Sequence, residues 1–370
     1  MDRNALQEQL ARDFDPALPI EEAWTPPASW FVSPEIAELE ARRVFARSWQ
    51  PVARVTQLAE AGSYLTGCIG REPWVVTRDE DGELRAFHNT CRHKGREVVQ
   101  GEGRADELVC GYHAWTYDLH GALRSAPRMG GIRDFERGVM SLVPLRLEVW
   151  GPWIFLNGDP EAPPLSEAAA PIEARLGAEP WSRLRFLHRT VWDVASNWKV
   201  CVDNYLDGGY HIPHMHPSLD AQLDMESYRT ELFPSCSIQS SLPAGRQDER
   251  IAFDAGARIG GEAVYLWLFP NFMLNRYGPC LDTNLVIPRG PDHCQVVYDF
   301  WFEEDQLETG RDFIDESIAQ SAVTQREDIE ICESVQRGLH SASYDRGRYA
   351  PRVEIGEHHF HQLLARQLVS

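Results

Sequence analysis

No run of apolar residues in this 370-residue chain approaches the roughly 20 that a membrane-spanning helix needs. The opening stretch, MDRNALQEQLARDFDPALP, mixes charges and has no apolar h-region, so it does not read as a signal peptide. A cytoplasmic protein is expected. Basic residues are in short supply, with 36 Lys and Arg against 56 Asp and Glu and a formal net charge of −20. That balance argues against nucleic acid or an anionic membrane as partner, because both are held mainly by Lys and Arg. Cysteine is also sparse at eight residues, which excludes a disulfide framework in an intracellular chain of this length. Six of the eight (Cys68, Cys201, Cys236, Cys280, Cys294 and Cys332) are scattered and read as small buried hydrophobes. Cys91 and Cys110 differ because of their neighbours.

The chain is long for one core, so two structural units are expected. Residues 44–157 hold short alternating runs such as WVVTR and LRAFHNT, punctuated by glycines and by the Asp81-Gly82 turn signal, which predicts a small β domain. Residues 158–174, GDPEAPPLSEAAAPIEA, read as a Pro- and Ala-rich linker. Beyond it, RFLHRTVWDV, AVYLWLFPNFMLNRYG, TNLVIP and CQVVYDFWF look like strands, and a long helical pattern covers about 305–337. Strands followed by a long helix predict an α+β catalytic unit over 175–370 with an antiparallel sheet. Residues 1–43 form an N-terminal segment expected to pack on the catalytic unit.

The stretches HNTCRHKG and CGYHAWTY give Cys91-x-His93, sixteen intervening residues, then Cys110-x-x-His113. Two thiols and two imidazoles in paired tight loops form a metal site by residue type. Zinc fingers keep Cys with Cys and His with His, whereas here each loop supplies one of each. That distribution fits a Rieske [2Fe–2S] cluster, with two Cys on one iron and two His on the other. Arg92 and Lys94 flank the first loop with positive charge that favours the reduced cluster. Gly95 and Gly111 are expected to permit the tight turns.

A second constellation lies in NWKVCVDNYLDGGYHIPHMHP, Asn197 to Pro217. Two histidines and one carboxylate on one face of an iron leave three cis positions open, the facial triad of oxygen-activating non-haem iron. His211 and His216 are the expected histidines, with His214 within reach as an alternative. The carboxylate is expected from QREDIEICESVQRG. There Asp328 shares a helical stripe with Ile331, Cys332 and Val335, while Glu327, Glu330, Glu333 and Arg337 take the opposite side. An Asp on an apolar stripe carries a high desolvation cost that a bound cation would relieve.

These motifs, together with QRGLHS and GRY…HHFH further on, resemble the α subunit of Rieske ring-hydroxylating oxygenases from about residue 44 to the end. Within that family, DNYLDGGYHIPHMH is similar to the choline monooxygenase-like members. The resemblance implies a small antiparallel β Rieske domain and a helix-grip catalytic domain. It also implies a reductase, with or without a ferredoxin, delivering NAD(P)H electrons to the cluster of an α3 trimer. Electrons would then reach the mononuclear iron of a neighbouring subunit, where O₂ is activated to hydroxylate a small molecule. A carboxylate is implied between His113 of one subunit and His211 of the next. The common pattern places it three residues before the first iron histidine, where this chain has Gly208. Asp207 is preferred over Asp203, with Gly208-Gly209 expected to make a bulge that re-aims it. Asn204 is expected near the iron, and Ser196 is expected to cap the helix.

The substrate is left open. A quaternary amine would need aromatic faces, and Trp267, Phe269, Phe272 and Tyr277 lie in a run expected to line the cavity. An aromatic ring substrate would suit the same wall, so mono- or dioxygenation of a ring is the alternative. A Rieske electron carrier without oxygenase activity is a further one. The tail GEHHFHQLL, with His358, His359 and His361, reads as a helix end with partly exposed imidazoles.

Overall fold

The structure is a computed structural model that describes residues 3–177, 180–245, 259 and 261–369. Three helices open the chain: α1 (Arg3–Asp13), α2 (Ser29–Val32) and α3 (Pro34–Arg43). The chain separates into two compact units, Ala41–Glu167 and a second made of Met1–Glu40 with Ala168–Ser370.

The smaller unit is built from ten short strands: β1 (Gln50–Arg54), β2 (Ser63–Ile69), β3 (Glu72–Arg78), β4 (Leu84–His88), β5 (Glu102–Arg104), β6 (Glu107–Val109), β7 (Thr116–Asp118), β8 (Leu123–Ser125), β9 (Arg146–Trp150) and β10 (Trp153–Asn157). They form three antiparallel sheets in the orders β1-β10-β9, β4-β3-β2-β5 and β6-β7-β8. Trp74, Val75, Val76 and Thr77 are all buried because both faces of β3 are covered. Gly82, at φ +83°, makes the β3–β4 turn that Asp81-Gly82 announces. One apolar cluster of this unit includes Cys91 and Cys110 among Val75, Phe87, Leu108, Trp115 and Tyr117.

In the larger unit, α4 (Leu165–Leu176) begins inside the stretch read as a linker, and the boundary between units falls within this helix. Pro171 stands inside α4. Seven strands follow: β11 (Leu184–Val194), β12 (Arg229–Phe233), β13 (Cys236–Ser241), β14 (Ala263–Leu268), β15 (Phe272–Tyr277), β16 (Cys280–Gly290) and β17 (His293–Glu303). They make one antiparallel sheet ordered β11-β17-β16-β15-β14-β13-β12. Helices α5 (Trp198–Leu206), α6 (Ile212–Met215) and α7 (Pro217–Asp220) lie between β11 and β12. After β17 come α8 (Glu304–Thr309), the 29-residue α9 (Arg311–Leu339) and α10 (Ile355–Val369). The sheet with long helices is the α+β, helix-grip arrangement. The sequence pattern does not announce strands β12 and β13, because RTELF and CSIQSS hold few apolar residues.

The NWK motif turns out to be an anchor. Asn197, not Ser196, caps α5: its Oδ1 accepts from the Lys199 N–H at 3.0 Å, and its Nδ2 donates to Pro291 O at 2.7 Å. Trp198 Nε1 and Lys199 Nζ donate to the two oxygens of Glu40 at 2.8 and 2.6 Å. All three side chains are buried, and the ammonium also lies over the Phe31 and Trp198 rings. A charge this deep is tolerated only because every partner is present. The result fixes the start of the helix whose far end delivers the metal-site residues.

Helix α9 buries a stripe richer in polar residues than the sequence suggests: Ser317, Ser321, Gln325, Cys332, Gln336 and Leu339. Val335, expected on that stripe, is exposed. Gln336 is held in place because its Oε1 accepts from the Asn197 N–H and its Nε2 donates to Asp292. Of the scattered cysteines, Cys68 is exposed rather than buried, and Cys201 and Cys294 place their sulfurs 3.6 Å apart.

Candidate metal centres

The Cys91 and Cys110 loops are built alike. Each Cys N–H donates to the carbonyl five residues on (Arg96, Trp115), and each Cys carbonyl accepts from the N–H four residues on (Gly95, Ala114). The fourth residue sits at positive φ in both loops, +73° at Gly95 and +56° at Ala114. Gly95 therefore meets its expected role, whereas in the second loop the left-handed position is Ala114 and not Gly111. The two thiols are buried and the two imidazoles face outward. His93 Nδ1 and His113 Nδ1 are 3.1 Å apart, a separation suited to two ligands on one metal. The His93 ring stacks on buried Trp115 at 5.0 Å, which fixes its plane. Tyr117 places its hydroxyl 3.4 Å from Cys91 Sγ and accepts from the Arg92 N–H at 3.0 Å. Burial and the neighbouring thiol push the Cys110 thiol above its ordinary value. A metal that takes up the thiolate charge removes that cost. Buried sulfurs inside and imidazoles outside are the donor set of a Rieske cluster, so the residues fit the group.

In the larger unit the backbone explains the odd spacing before His211. Helix α5 ends at Leu206, Asp207 is its C-cap, and Gly208 and Gly209 follow at φ +72° and +75°. The helix stops rather than bulging, so Asp203, Asp207 and His211 do not share one helical face. A Cβ on Gly208 would lie 2.2 Å from Val353 O, so no side chain fits there. Asp207, one position back, is the carboxylate that meets His211. Asp207 Oδ2 lies 2.6 Å from His211 Nδ1 and also accepts the His211 N–H at 3.0 Å. Its Oδ1 accepts from the N–H groups of Gly209 and Tyr210.

His211, His216 and Asp328 converge so that one ligand atom from each lies within 4.8 Å of the others. Asp328 Oδ1 is 3.0 Å from His216 Nε2 and 3.7 Å from His211 Nε2. The two imidazole rings are near perpendicular, at 78° with centroids 4.9 Å apart. This donor set fits a mononuclear non-haem iron with open coordination positions. His214 is exposed and outside the cluster. Asp203 turns instead toward His361, and Asn204 lines the cavity beside the triad.

One residue escaped sequence reasoning. Glu327, assigned there to the far side of α9, places Oε2 2.6 Å from His216 Nδ1. Each histidine thus turns Nε2 toward Asp328 and Nδ1 toward a carboxylate, which fixes tautomer and ring orientation. Burial pulls the His216 pKa down, but Asp328 and Glu327 outweigh it and hold the ring above its ordinary value.

The triad opens on a cavity of about 940 Å³, counting the space at its mouth. Five tyrosines stand in its wall: Tyr205, Tyr228, Tyr265, Tyr277 and Tyr298. Tyr265 contacts Tyr205, Tyr228 and Tyr277 ring to ring at 6.5, 6.3 and 5.8 Å. Burial, with neighbouring tyrosines, pushes Tyr205 and Tyr228 well above the ordinary phenol range, so both stay neutral. Asp282 also lines the cavity, 1% exposed, and accepts from Ser321 Oγ at 2.9 Å. Of the aromatics expected on the wall only Tyr277 is there; Trp267 packs against Phe360 and His359 instead.

A thiol–imidazole quartet joined in one chain to a two-histidine, one-carboxylate set is the equipment of an iron-dependent oxygenase. Comparison with known proteins agrees. Residues 48–136 match the Rieske [2Fe–2S] domain, and residues 181–370 match the ring-hydroxylating α subunit (catalytic domain). The chain belongs to the Rieske-type ring-hydroxylating oxygenase family and is an oxidoreductase with a [2Fe–2S] domain and a mononuclear iron catalytic domain. It is 44% identical to the chloroplastic choline monooxygenase of Arabidopsis thaliana, over 97% of this chain and 86% of that protein. It is 33% identical to the carnitine monooxygenase oxygenase subunit of Escherichia coli K12, over 93% and 94%. Among solved structures, the quaternary ammonium Rieske monooxygenase CntA with L-carnitine aligns at TM-score 0.76 and 30% identity, over 93% of this chain and 96% of that one. Naphthalene 1,2-dioxygenase from Rhodococcus sp. aligns at TM-score 0.78 and 20% identity, over 99% and 98%, and shares the fold. No helix among the described residues is long and apolar enough to cross a membrane.

Proposed function

We propose that this protein is the terminal oxygenase of a system that hydroxylates a small quaternary ammonium compound, by oxidation of the choline kind or by N-demethylation. The observation that carries the reading is the tyrosine wall with a buried carboxylate, Asp282, in the cavity of the triad. Neutral phenol rings offer their negative faces to a cation, worth about 2 kcal/mol when desolvated. Asp282 offers a buried carboxyl that a bound cation would pair with and hold ionised, which a neutral aromatic substrate cannot do. The relatives named for choline and carnitine point the same way.

In this reading Cys91, Cys110, His93 and His113 hold the cluster, and His211, His216 and Asp328 hold the iron. When bound, the two groups supply electron transfer and O₂ activation. The chain's own residues bind, orient and exclude water. Tyr205 and Tyr228 are fixed by hydrogen bonds to Asn275 and Gln239 at 2.8 and 3.3 Å, so the cage is preorganised. Asp207 is the acid proposed to link the centres of neighbouring subunits in a trimer, and Asn204 lines the cavity beside the residues that would hold the iron. A cytoplasmic location and a reductase partner, with or without a ferredoxin, complete the reading.

The test is incubation of the holoenzyme with a reductase, NADH and O₂ against choline, carnitine, betaines and aromatic acids. Coupled consumption of a cationic substrate is expected, with formaldehyde marking N-demethylation. Turnover confined to aromatic acids, with diol or phenol products, would overturn it.

A further inference from the structure

Helix α10 reads in sequence as carrying partly exposed imidazoles, yet His361 is 1% exposed and His358 only 7%. His361 points at α5. Its Nε2 lies 3.1 Å from Asp203 Oδ1, and neither of these two buried atoms makes a hydrogen bond, because the approach is too bent for an N–H···O contact. Glu357, one turn back on α10, brings a carboxylate oxygen into the same spot, so that one ligand atom of each of the three residues lies within 4.8 Å of the others.

Three features set this apart from an ordinary buried ion pair. The first is the separation: the Nε2–Oδ1 distance matches the 3.0 Å between His216 Nε2 and Asp328 Oδ1 at the iron site. Two ligands about 2.1 Å from one ion are about 3.0 Å apart at right angles and about 3.4 Å apart at the tetrahedral angle, and the observed separation falls in that range. The second is the support. His361 Nδ1 sits 2.7 Å from the Tyr349 hydroxyl, the outer contact that metal-bound imidazoles use to fix their tautomer. With Nδ1–H donating to that oxygen, Nε2 keeps its lone pair, and an ion set off the Nε2–Oδ1 line would take that lone pair and the Asp203 oxygen together. The third is the charge. Burial, then Asp203, Glu354 and Asp207, drives the Glu357 carboxyl well above its ordinary range. Lys199, whose field reaches Asp203, is already bound to Glu40.

We propose that Asp203, Glu357 and His361 form a second metal site, separate from the catalytic iron, that takes a divalent cation of the zinc or manganese class. One imidazole and two carboxylates suit such an ion better than a soft monovalent one. Bound there, it ties α10 to α5, the helix that carries Asp207 at its end. Asp203 is then a ligand in its own right, which separates its role from that of Asp207.

Purified holoenzyme, with cluster and iron in place, is dialysed against Zn²⁺ and then against metal-free buffer, and metals are counted. One zinc per chain beyond the iron is expected, with a rise in Tm. Both are lost in His361→Gln and in Glu357→Gln, while retention of the mononuclear iron, whose proposed ligands lie in the same compact unit, shows that each variant is folded there. Crystals of the unaltered protein soaked in Zn²⁺ need no variant: an anomalous peak between His361 and Asp203 is expected at the zinc edge. Absence of that peak, or zinc binding that survives both substitutions, would overturn the proposal.

Discussion

Asp207 Oδ2 lies 2.6 Å from Nδ1 of His211, on the side of the ring opposite Asp328. The family's usual acid position is closed here, because the Val353 carbonyl fills the space a Gly208 side chain would need. Moving the acid one residue back and ending the helix on two left-handed glycines restores the contact by another route. Asp207→Asn keeps the shape but removes the charge that orients His211. We expect turnover to fall about 100-fold, with the cluster spectrum retained and NADH use uncoupled from product. Asp203→Asn is expected to lose at least ten times less. Steady-state product and NADH measured together decide, and the reverse order of effects would return the bridge to Asp203.

Glu327 does for His216 what Asp207 does for His211. Glu327→Gln should raise the iron dissociation constant by about 10- to 100-fold. Competition with a chelator, followed by iron counting, measures it. The cluster iron should be unaffected, since Cys91 and Cys110 lie in the other compact unit. Iron retention equal to that of the unaltered protein would show that the contact is incidental.

The cluster quartet is legible in sequence because its chemistry is local: four ligand residues lie in two short loops, and their types allow few metals. His211, His216 and Asp328 are legible for related reasons, two by motif and one by its place on a helical stripe. Glu327 is not, because adjacent helix positions point about 100° apart and only a long side chain bends back to the site. The tyrosine wall is hidden for another reason. Its members come from α5, β14, β15, β17 and the segment before β12, and sheet register, which no local pattern carries, brings them together. Asp282 stands just before the run TNLVIP, and its place on the wall emerges only when Asn275 and Phe300 are set beside it.

Asp282→Asn tests what that carboxylate does. With the cation's counter-charge gone, kcat/KM for a quaternary amine should fall about 10- to 100-fold, roughly 1.4–2.7 kcal/mol of transition-state binding. A neutral isostere in which carbon replaces the quaternary nitrogen should gain relative to it. Parallel kinetics on the two substrates separate a charge effect from a folding defect, which would lower both alike.

Tyr117 touches the cluster loop twice, at Cys91 Sγ and at the Arg92 N–H. Hydrogen bonds to cluster sulfurs raise the reduction potential by stabilising the more negative state. Tyr117→Phe keeps the packed ring and removes the hydroxyl, so the potential should drop by something on the order of tens of millivolts. A redox titration followed by visible absorption reads the shift. An unchanged midpoint would assign the hydroxyl to holding the loop alone.

Lys199 and Glu40 give the last test, one of stability rather than chemistry. Burial pulls the Lys199 ammonium below its ordinary pKa, and the Glu40 carboxylate opposes that pull. Either partner alone would be a buried charge without compensation. Lys199→Met or Glu40→Gln should each therefore destabilise the larger unit by about 3–5 kcal/mol. The double variant should cost less than the sum, because it leaves no charge behind and the amide oxygen introduced by Glu40→Gln can still accept the Trp198 N–H. Denaturant midpoints of the three variants, followed by tryptophan fluorescence, form the cycle. Additive losses would mean that the two groups act independently and that the 2.6 Å contact between them contributes little.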